Sequence, residues 1–120
     1  MTEKMLVQLE EKGNRISELI NRFAGNEAIC VKLLKKFPGD DNYDKYMSQI
    51  PVRDLASAEQ SVHTLKGVAS NLGLTNISDL TQKIVDEIRG EKDFEKLDNW
   101  TKELEVAYKE TVDVIQAYSE

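Results

Sequence analysis

The segment 54-DLASAEQSVHTLKGVASNLG-73 is the clearest indicator of the architecture, because its apolar residues recur every three or four positions. This is the period of an α-helix that buries one face. The apolar residues are Leu55, Ala58, Val62, Leu65, Ala69 and Leu72. Asp54 can cap the start of the helix, and Gly73 can supply the left-handed residue that ends it. The stretch therefore predicts one long helix with a single buried stripe.

Helical periodicity also precedes this segment, in four shorter stretches separated by Gly and Pro. The first contains Met5, Leu6 and Leu9 and is interrupted at Gly13–Asn14; the second presents Ile16, Leu19, Ile20 and Phe23 and stops at Ala24–Gly25. The third, with Asn26 as its N-cap, presents Ile29, Leu33, Leu34 and Phe37 beside Cys30 and ends at Pro38–Gly39; the fourth contains Tyr43, Tyr46, Met47 and Ile50 and is closed by Pro51. These segments predict short N-terminal helices.

Two helices follow the central one. One runs from about Asn76 to Arg89, with Thr75 as its N-cap and Gly90 as its terminator. The last and longest runs from about Phe94 into the final residues, with an apolar stripe of Leu97, Thr101, Leu104, Tyr108, Thr111, Ile115 and Tyr118, widened by Trp100 and Val114. We therefore predict an all-α fold in a single domain over residues 1–120, an antiparallel up-down four-helix bundle with additional short N-terminal helices.

Composition narrows the class of protein. Of the 120 residues, 40% are hydrophobic and 32% are charged, which is typical of a water-soluble domain. The net charge of −6 argues against nucleic acid as a partner. The chain has no apolar run long enough to cross a bilayer and no signal-peptide pattern. Its one cysteine, Cys30, fits a reducing compartment, so we expect a cytoplasmic protein that does not bind membranes.

The scarcity of His and Cys limits the chemistry further. A single His63 and a single Cys30 cannot supply the nitrogen and sulfur ligands of a zinc site. A Cys–His nucleophile pair would need the two side chains to meet, but Cys30 lies in an apolar helical pattern typical of a buried residue. The sequence also has no catalytic triad, no phosphate-cradling loop and no nucleotide motif. A metal site made of carboxylates alone remains possible, although no spacing in the sequence suggests one. We expect that the protein is not an enzyme and that it binds no cofactor or metal.

His63 has an unusual set of neighbours on its helix. It lies one residue past Val62, at the edge of the core face, and Lys66, Gly67 and Ser70 share its side. Neutral imidazole is a competent nucleophile near neutral pH, an ammonium one turn away can balance a phosphoryl group, and a serine can donate to its oxygens. Gly67 costs about 1 kcal/mol relative to Ala inside a helix, which suggests that access is needed there. The alternatives are an ordinary surface His, a solvated Lys and a Gly that permits a close helix crossing.

The segment 63-HTLKGVASNLG-73 closely resembles the signature of histidine phosphotransfer (HPt) domains. That signature has His, two residues, Lys-Gly, four small or mixed residues, an apolar residue and Gly, and every fixed position is met here. The resemblance extends to 21-NRFAGNE-27 and 33-LLKKF-37, which look like the N-terminal helices of stand-alone members. It covers most of the domain, although the final helix matches only in length and pattern.

The resemblance implies a function. His63 would accept a phosphoryl group on Nε2 from the aspartyl phosphate of a receiver domain and pass it to a response regulator in a multistep two-component phosphorelay. Lys66 corresponds to the family's phosphate-neutralising Lys, and Gly67 to its access glycine. The carrier itself needs no cofactor, because the receiver brings the acidic pocket and Mg²⁺. The implied partners are receiver domains of hybrid histidine kinases and response regulators, and we expect the carrier to be a monomer.

One position departs from the family pattern. Many members place Gln or Glu 22 residues after the His, where it orients the ring through Nδ1. This chain has Val85 there, which cannot do so. Gln82, one turn earlier, matches another family position that often faces the His, and is our candidate for the orienting role. An exposed helix residue without such a role is the alternative for Gln82.

Other functions remain open from the sequence. The chain could be the phosphotransfer module of a hybrid or chemotaxis-type kinase, although the initiating Met and compact ends favour a stand-alone protein. It could also be a helical adaptor that binds receivers without phosphotransfer. For docking, we expect Glu59, Ser70, Asn71 and exposed parts of the first helices to surround His63.

Overall fold

Helices make up most of residues 1–118, the part of the chain that the computed structural model describes. Three short ones come first, followed by a 3-10 turn at Phe37–Gly39: α1 (Lys4–Glu11), α2 (Ile16–Arg22) and α3 (Glu27–Lys35). The remaining four are α4 (Asn42–Gln49), α5 (Leu55–Asn71), α6 (Thr75–Arg89) and α7 (Phe94–Ala117). The all-α prediction is confirmed for this part of the chain. The predicted extension of the last helix beyond residue 118 lies outside the described residues.

The long helices pack in sequence. Helix α5 lies between α4 and α6, α6 packs against α7, and α1 and α3 cover α7. The connection between α5 and α6 spans only residues 72–74, which forces the chain to reverse and makes the two helices antiparallel neighbours. This arrangement leaves one side of α5 uncovered by any long helix. The predicted bundle is therefore present, with α4 as a short member.

The core consists of the predicted stripe of α5 and the facing sides of its neighbours. Ala58, Val62, Leu65 and Ala69 are buried on α5, whereas Leu55 and Leu72 at its ends are half-buried. The largest fully buried side chains elsewhere include Tyr46, Phe37, Met5, Leu6, Leu9, Ile16, Leu19, Leu34, Ile77 and Ile84. Burial on this scale, at about 25 cal/mol per Å² of apolar surface, is the main stabilising force of such a bundle.

Local capping follows the predicted chemistry at two helix starts. The side chain of Asn26 accepts a hydrogen bond from the N–H of Ile29 at 3.1 Å, and Asp54 accepts from Ser57 N–H at 3.3 Å. Both bonds satisfy N–H groups that have no partner inside their helices. At the end of α5, Gly73 has a φ of +69°, which confirms the predicted left-handed residue.

The predicted N-cap of α6 is wrong. Helix α6 already begins at Thr75, and the cap position is taken by Leu74, which is fully buried and makes no side-chain cap. The hydroxyl of Thr75 instead accepts from the N–H of Arg15 at 3.0 Å and donates to the carbonyl of Gly73. The buried Leu74 therefore occupies the cap position of α6. The Thr75 hydroxyl connects α6 to the backbone at the start of α2.

The predicted apolar faces of α2 and α3 are partly wrong. Ile29 is 41% exposed and Phe23 is 36% exposed, whereas Cys30 and Leu34 are fully buried. Helix α3 is short and packs against α2 and α7, so these neighbours cover only a narrow strip of its apolar side. Of the predicted apolar residues, Ile16 and Leu19 of α2 are fully buried, Ile20 and Leu33 are half-buried, and only Phe23 and Ile29 are exposed.

Candidate functional site

His63 lies on the uncovered side of α5 and is exposed. Its neighbour Val62 is fully buried, so the turn between them marks the edge of the core. Within residues 1–118, no hydrogen bond or ion pair engages the imidazole. The imidazole is therefore exposed to solvent and is not held in place by another group of the described residues.

Gly67, one turn after His63, borders open space. A Cβ built on Gly67 would have no neighbouring atom within 4 Å. The alternative of a close helix crossing is therefore excluded, because no other helix approaches this position. The glycine leaves open space one turn from His63, and its role in giving a partner access remains a prediction.

Three side-chain contacts join α5 to α6 along one edge of this surface. Arg89 Nε donates to Glu59 Oε1 at 2.5 Å, Lys66 Nζ donates to Gln82 Oε1 at 2.8 Å, and the hydroxyls of Ser70 and Ser78 share a hydrogen bond of 2.7 Å. The bonded residues rise along α5 from 59 to 66 to 70, while their partners fall along α6 from 89 to 82 to 78. Each step up α5 is matched by an equal step down α6. This register shows directly that the two helices are antiparallel.

The same register explains why His63 has no orienting partner on α6. It places Val85 level with His63, and Val85 is fully buried, with 0% of its surface exposed. The position that often carries the orienting group in HPt domains is therefore turned into the core here. An aliphatic side chain at that place packs well but offers the ring no hydrogen bond.

Gln82 does not orient the imidazole either, so that prediction is wrong for this structure. Its Oε1 accepts from Lys66, and its Nε2 donates to Asp86 Oδ1 at 2.8 Å. Both ends of the amide are thus engaged by other groups. The register across the two helices brings Gln82 to Lys66 rather than to His63.

Lys66 is half-buried between the two helices, and its ammonium has a neutral acceptor. Among the ion pairs of residues 1–118, none involves Lys66. Its positive charge is therefore not neutralised by a carboxylate. Because residues three apart on a helix are neighbours, the Lys66 side chain leaves α5 next to His63, and its ammonium then extends to Gln82 on α6.

The other predicted site residues have different surroundings. Ser70 is exposed but shares its hydroxyl with Ser78, and Glu59 is paired with Arg89. Asn71 is exposed at the end of α5, where its backbone carbonyl accepts a hydrogen bond from Arg22 Nη2 at 2.6 Å. Ser70 can donate to a phosphoryl oxygen when Ser78 is the donor in the hydrogen bond between the two hydroxyls.

The possible Cys–His pair does not form. Cys30 is fully buried on α3, and burial raises the pKa of its thiol. His63 is exposed on the outer side of α5 and forms no hydrogen bond with the groups of residues 1–118. Within the described residues, no group of three or more His, Cys, Asp or Glu side chains is placed to hold a metal ion.

An apolar hollow of about 270 Å³ adjoins the exposed face of α5 at its C-terminal half. Leu33 of α3, the side chain of Phe37 and the α5 residues Val68 and Leu72 form its apolar lining, and Lys36, Asp40 and Asn71 form its polar lining. Val68 follows Gly67 directly, so the hollow begins one residue from the access glycine. Sequence reasoning expected exposed parts of the first helices near His63 but did not single out Leu33 or Val68.

Sequence reasoning also missed Asp86, Ser78 and Arg89. A signal existed for one of them, because Gln82 and Asp86 are spaced i, i+4 and a Gln–Asp pair at this spacing forms a side-chain hydrogen bond on a helix. No local signal existed for Ser78 or Arg89, whose partners lie on another helix.

None of the helices in the described part of the chain combines the length and apolar character that a bilayer crossing requires. No curated protein and no solved structure matches the chain. The family model of the Hpt domain matches residues 5–117, which is nearly the whole chain. Together with the helical bundle, this match shows that the chain belongs to the histidine phosphotransfer (Hpt) domain family, whose members are phosphocarrier modules of phosphorelays that interact with receiver domains.

Proposed function

We propose that this protein is a stand-alone phosphoryl carrier whose acceptor is Nε2 of His63. One observation carries the proposal. In the described part of the chain, the exposed imidazole has no hydrogen-bond partner, and it lies one turn from both Lys66, which forms no ion pair there, and the open space at Gly67. The three positions coincide with the fixed His, Lys and Gly of the family signature. No other histidine exists in the sequence.

The transfer step follows from simple chemistry. The lone pair of His63 Nε2 attacks the phosphorus of a receiver's aspartyl phosphate as the acyl P–O bond breaks, and the aspartate leaves as a carboxylate. The ring keeps its Nδ1 proton during the attack. In the onward step, a carboxylate of the next receiver attacks the phosphorus and takes the phosphoryl group from the imidazole. Transfer of this kind depends mainly on positioning and on neutralising the charge of the phosphoryl oxygens, which Lys66 would do from this side.

The partner would supply what this chain lacks. A receiver domain brings the acidic pocket and Mg²⁺, so the carrier needs no cofactor of its own, and we expect it to act as a monomer. We place the relay in the cytoplasm, in line with a single cysteine that cannot form an internal disulfide. For docking we propose the exposed face of α5 together with the apolar hollow beside Leu33 and Val68. Apolar contacts at the centre of an interface supply most of its binding energy.

Labelling with phosphorylated receiver domains tests the proposal. Wild type should acquire an acid-labile, base-stable phosphate, as expected of phosphohistidine, and His63→Gln should not. Because His63 is exposed and unbonded, the variant should keep the circular dichroism spectrum of the wild type. Treatment of both proteins with phosphoramidate, a small donor, separates failure of the acceptor from absence of the right receiver.

The outcome also distinguishes the alternatives. A protein that binds receivers equally well as wild type and as His63→Gln, and takes no label from phosphoramidate or a broad receiver panel, would be an adaptor. Label that persists in His63→Gln would disprove the assignment of the acceptor.

A further inference from the structure

A chain of three side chains crosses from α5 to α6 beside the proposed acceptor. Lys66 Nζ donates to Gln82 Oε1 at 2.8 Å, and Gln82 Nε2 donates to Asp86 Oδ1 at 2.8 Å. The chemistry of the two ends fixes the amide in the middle. An ammonium can only donate and a carboxylate can only accept, so the amide oxygen must face Lys66 and the amide nitrogen must face Asp86.

The amide restricts a flexible side chain. A lysine has four rotatable bonds and normally loses much conformational freedom when it is held in one place. Here Gln82 holds the ammonium before any partner arrives, and Asp86 in turn holds Gln82. The ammonium is therefore already in place when a phosphoryl group reaches His63.

The neutral character of this acceptor has its own consequence. The chain contains 22 acidic residues, yet the group that receives the Lys66 ammonium is an amide. A carboxylate there would form an ion pair with Lys66 and would repel an incoming phosphoryl group. An amide spacer keeps the Asp86 carboxylate one side chain away from the ammonium, so the positive charge stays available to an anion.

We propose that Gln82 is a positioning residue for phosphotransfer, which holds Lys66 at the His63 side of α5 without neutralising its charge, while Asp86 fixes the direction of the amide. This inference rests on the proposed function of His63 as the acceptor. It assigns Gln82 to the lysine and not to the imidazole ring.

A double-mutant cycle provides the test, with the rate of transfer from a phosphorylated receiver as its readout. Gln82→Met keeps the length of the side chain but removes the amide, and we expect it to slow transfer about tenfold, a smaller effect than the 10²–10³ of a fully enclosed charge-stabilising group because the site is open to solvent. In a Lys66→Met background, Gln82→Met should have no further effect, because the group that it positions is absent. Lys83→Met, an exposed position on the same helix, is the matched control and should transfer at the wild-type rate.

Gln82→Glu separates position from charge. The variant keeps an acceptor for Lys66 but adds a negative charge, so we expect transfer to be slowed as well, and more so at low salt, where charge interactions are less screened. A Gln82→Glu variant that transfers as fast as wild type would overturn the part of the proposal that concerns charge. Gln82→Met at the wild-type rate, or Gln82→Met and Lys66→Met with additive effects, would overturn the whole of it.

A second measurement does not depend on phosphotransfer. In the unphosphorylated protein, NMR relaxation of the Lys66 ammonium should show restricted motion that increases in Gln82→Met and stays unchanged in Lys83→Met. If this result is obtained but His63 accepts no label, the proposed function fails while the contact stands. If His63 is labelled normally and the ammonium is equally mobile in wild type and Gln82→Met, only the present inference fails.

Discussion

Gly73 and Arg15 are joined backbone to backbone at the end of α5. The N–H of Arg15 donates to the carbonyl of Gly73 at 2.9 Å, and a Cβ on Gly73 would lie only 2.7 Å from the carbonyl oxygen of Arg15. The close approach attaches the start of α2 to the helix that carries His63. It is possible only because residue 73 has no side chain and adopts a φ of +69°.

Gly73→Ala should therefore lower the free energy of unfolding more than an ordinary substitution of a left-handed glycine. Gly25→Ala is the matched control, since Gly25 has a φ of +83° but no atom within 4 Å of an added Cβ. We expect Gly25→Ala to lower the free energy of unfolding by about 1–2 kcal/mol, the cost of the left-handed conformation alone. Gly73→Ala should lower the free energy of unfolding by about 1–3 kcal/mol more than Gly25→Ala does, because its methyl group would be overpacked against Arg15. Urea unfolding of the two variants measures the difference. Equal losses in the two variants would show that the contact with Arg15 relaxes freely.

Gly67→Ala should make the protein more stable and less active. The position is helical and open, so Ala should raise the free energy of unfolding by about 0.5–1 kcal/mol. The added methyl group would occupy the gap beside His63 and slow transfer from a phosphorylated receiver. Urea unfolding and the transfer rate measure the two effects on the same samples, and a stabilised variant with an unchanged rate would refute the access role of the glycine.

Leu33→Asp should weaken receiver binding while leaving the acceptor intact. Leu33 is half-buried at the apolar hollow beside α5, and a carboxylate there would have to be desolvated in the complex. We expect the Kd for a receiver to rise about tenfold or more, as for a central apolar contact. Val106→Asp is the control, because Val106 is 57% exposed on α7, in a groove that α7 lines together with α6. The docking surface would be wrongly placed if the control weakened binding as much as Leu33→Asp, and phosphoramidate labelling of His63 should be normal in both variants.

Stability should fall at alkaline pH because of buried tyrosines. Burial raises the pKa of Tyr46 from 10.0 to about 12, partly offset by the 2.7 Å hydrogen bond between its hydroxyl and Thr101. Burial also raises the pKa of Tyr43 to about 12. Since the folded-state pKa values lie above those of the unfolded chain, the stability contribution is complete below pH 10 and is lost as pH rises through 12.

Tyr46→Phe isolates one of these groups. At neutral pH the free energy of unfolding of the variant should be about 1 kcal/mol lower than that of wild type, because the Thr101 hydroxyl loses its hydrogen-bond partner. Between pH 10 and 12 its stability should then fall less steeply than that of wild type, since one buried tyrosine no longer resists ionisation. Urea midpoints over this pH range provide the measurement, and identical slopes for the two proteins would contradict the shifted pKa of Tyr46.

Local patterns were enough to predict most of the architecture and the position of His63 at the edge of the core. The stripe of α5, its Asp54 cap and its left-handed Gly73 are all present in the structure, and the placement of His63 at the edge of the core followed from its position after Val62. The apolar side of α3 was predicted less well. Its hydrophobic residues cover more of the helix than its neighbours do, and the sequence does not tell which of them the neighbours reach.

Features that depend on one helix at a time follow from the order of residues: the periods of the apolar residues, the caps, and the grouping of His63, Lys66 and Gly67 on one side of α5. The register between α5 and α6, which pairs Lys66 with Gln82 and turns Val85 into the core, is established only in the folded protein. The physical reason is that helix faces are set by hydrogen bonds between residues four apart. The alignment of two helices is set by packing of the whole interface, including the short connection through Gly73, and no single residue encodes it.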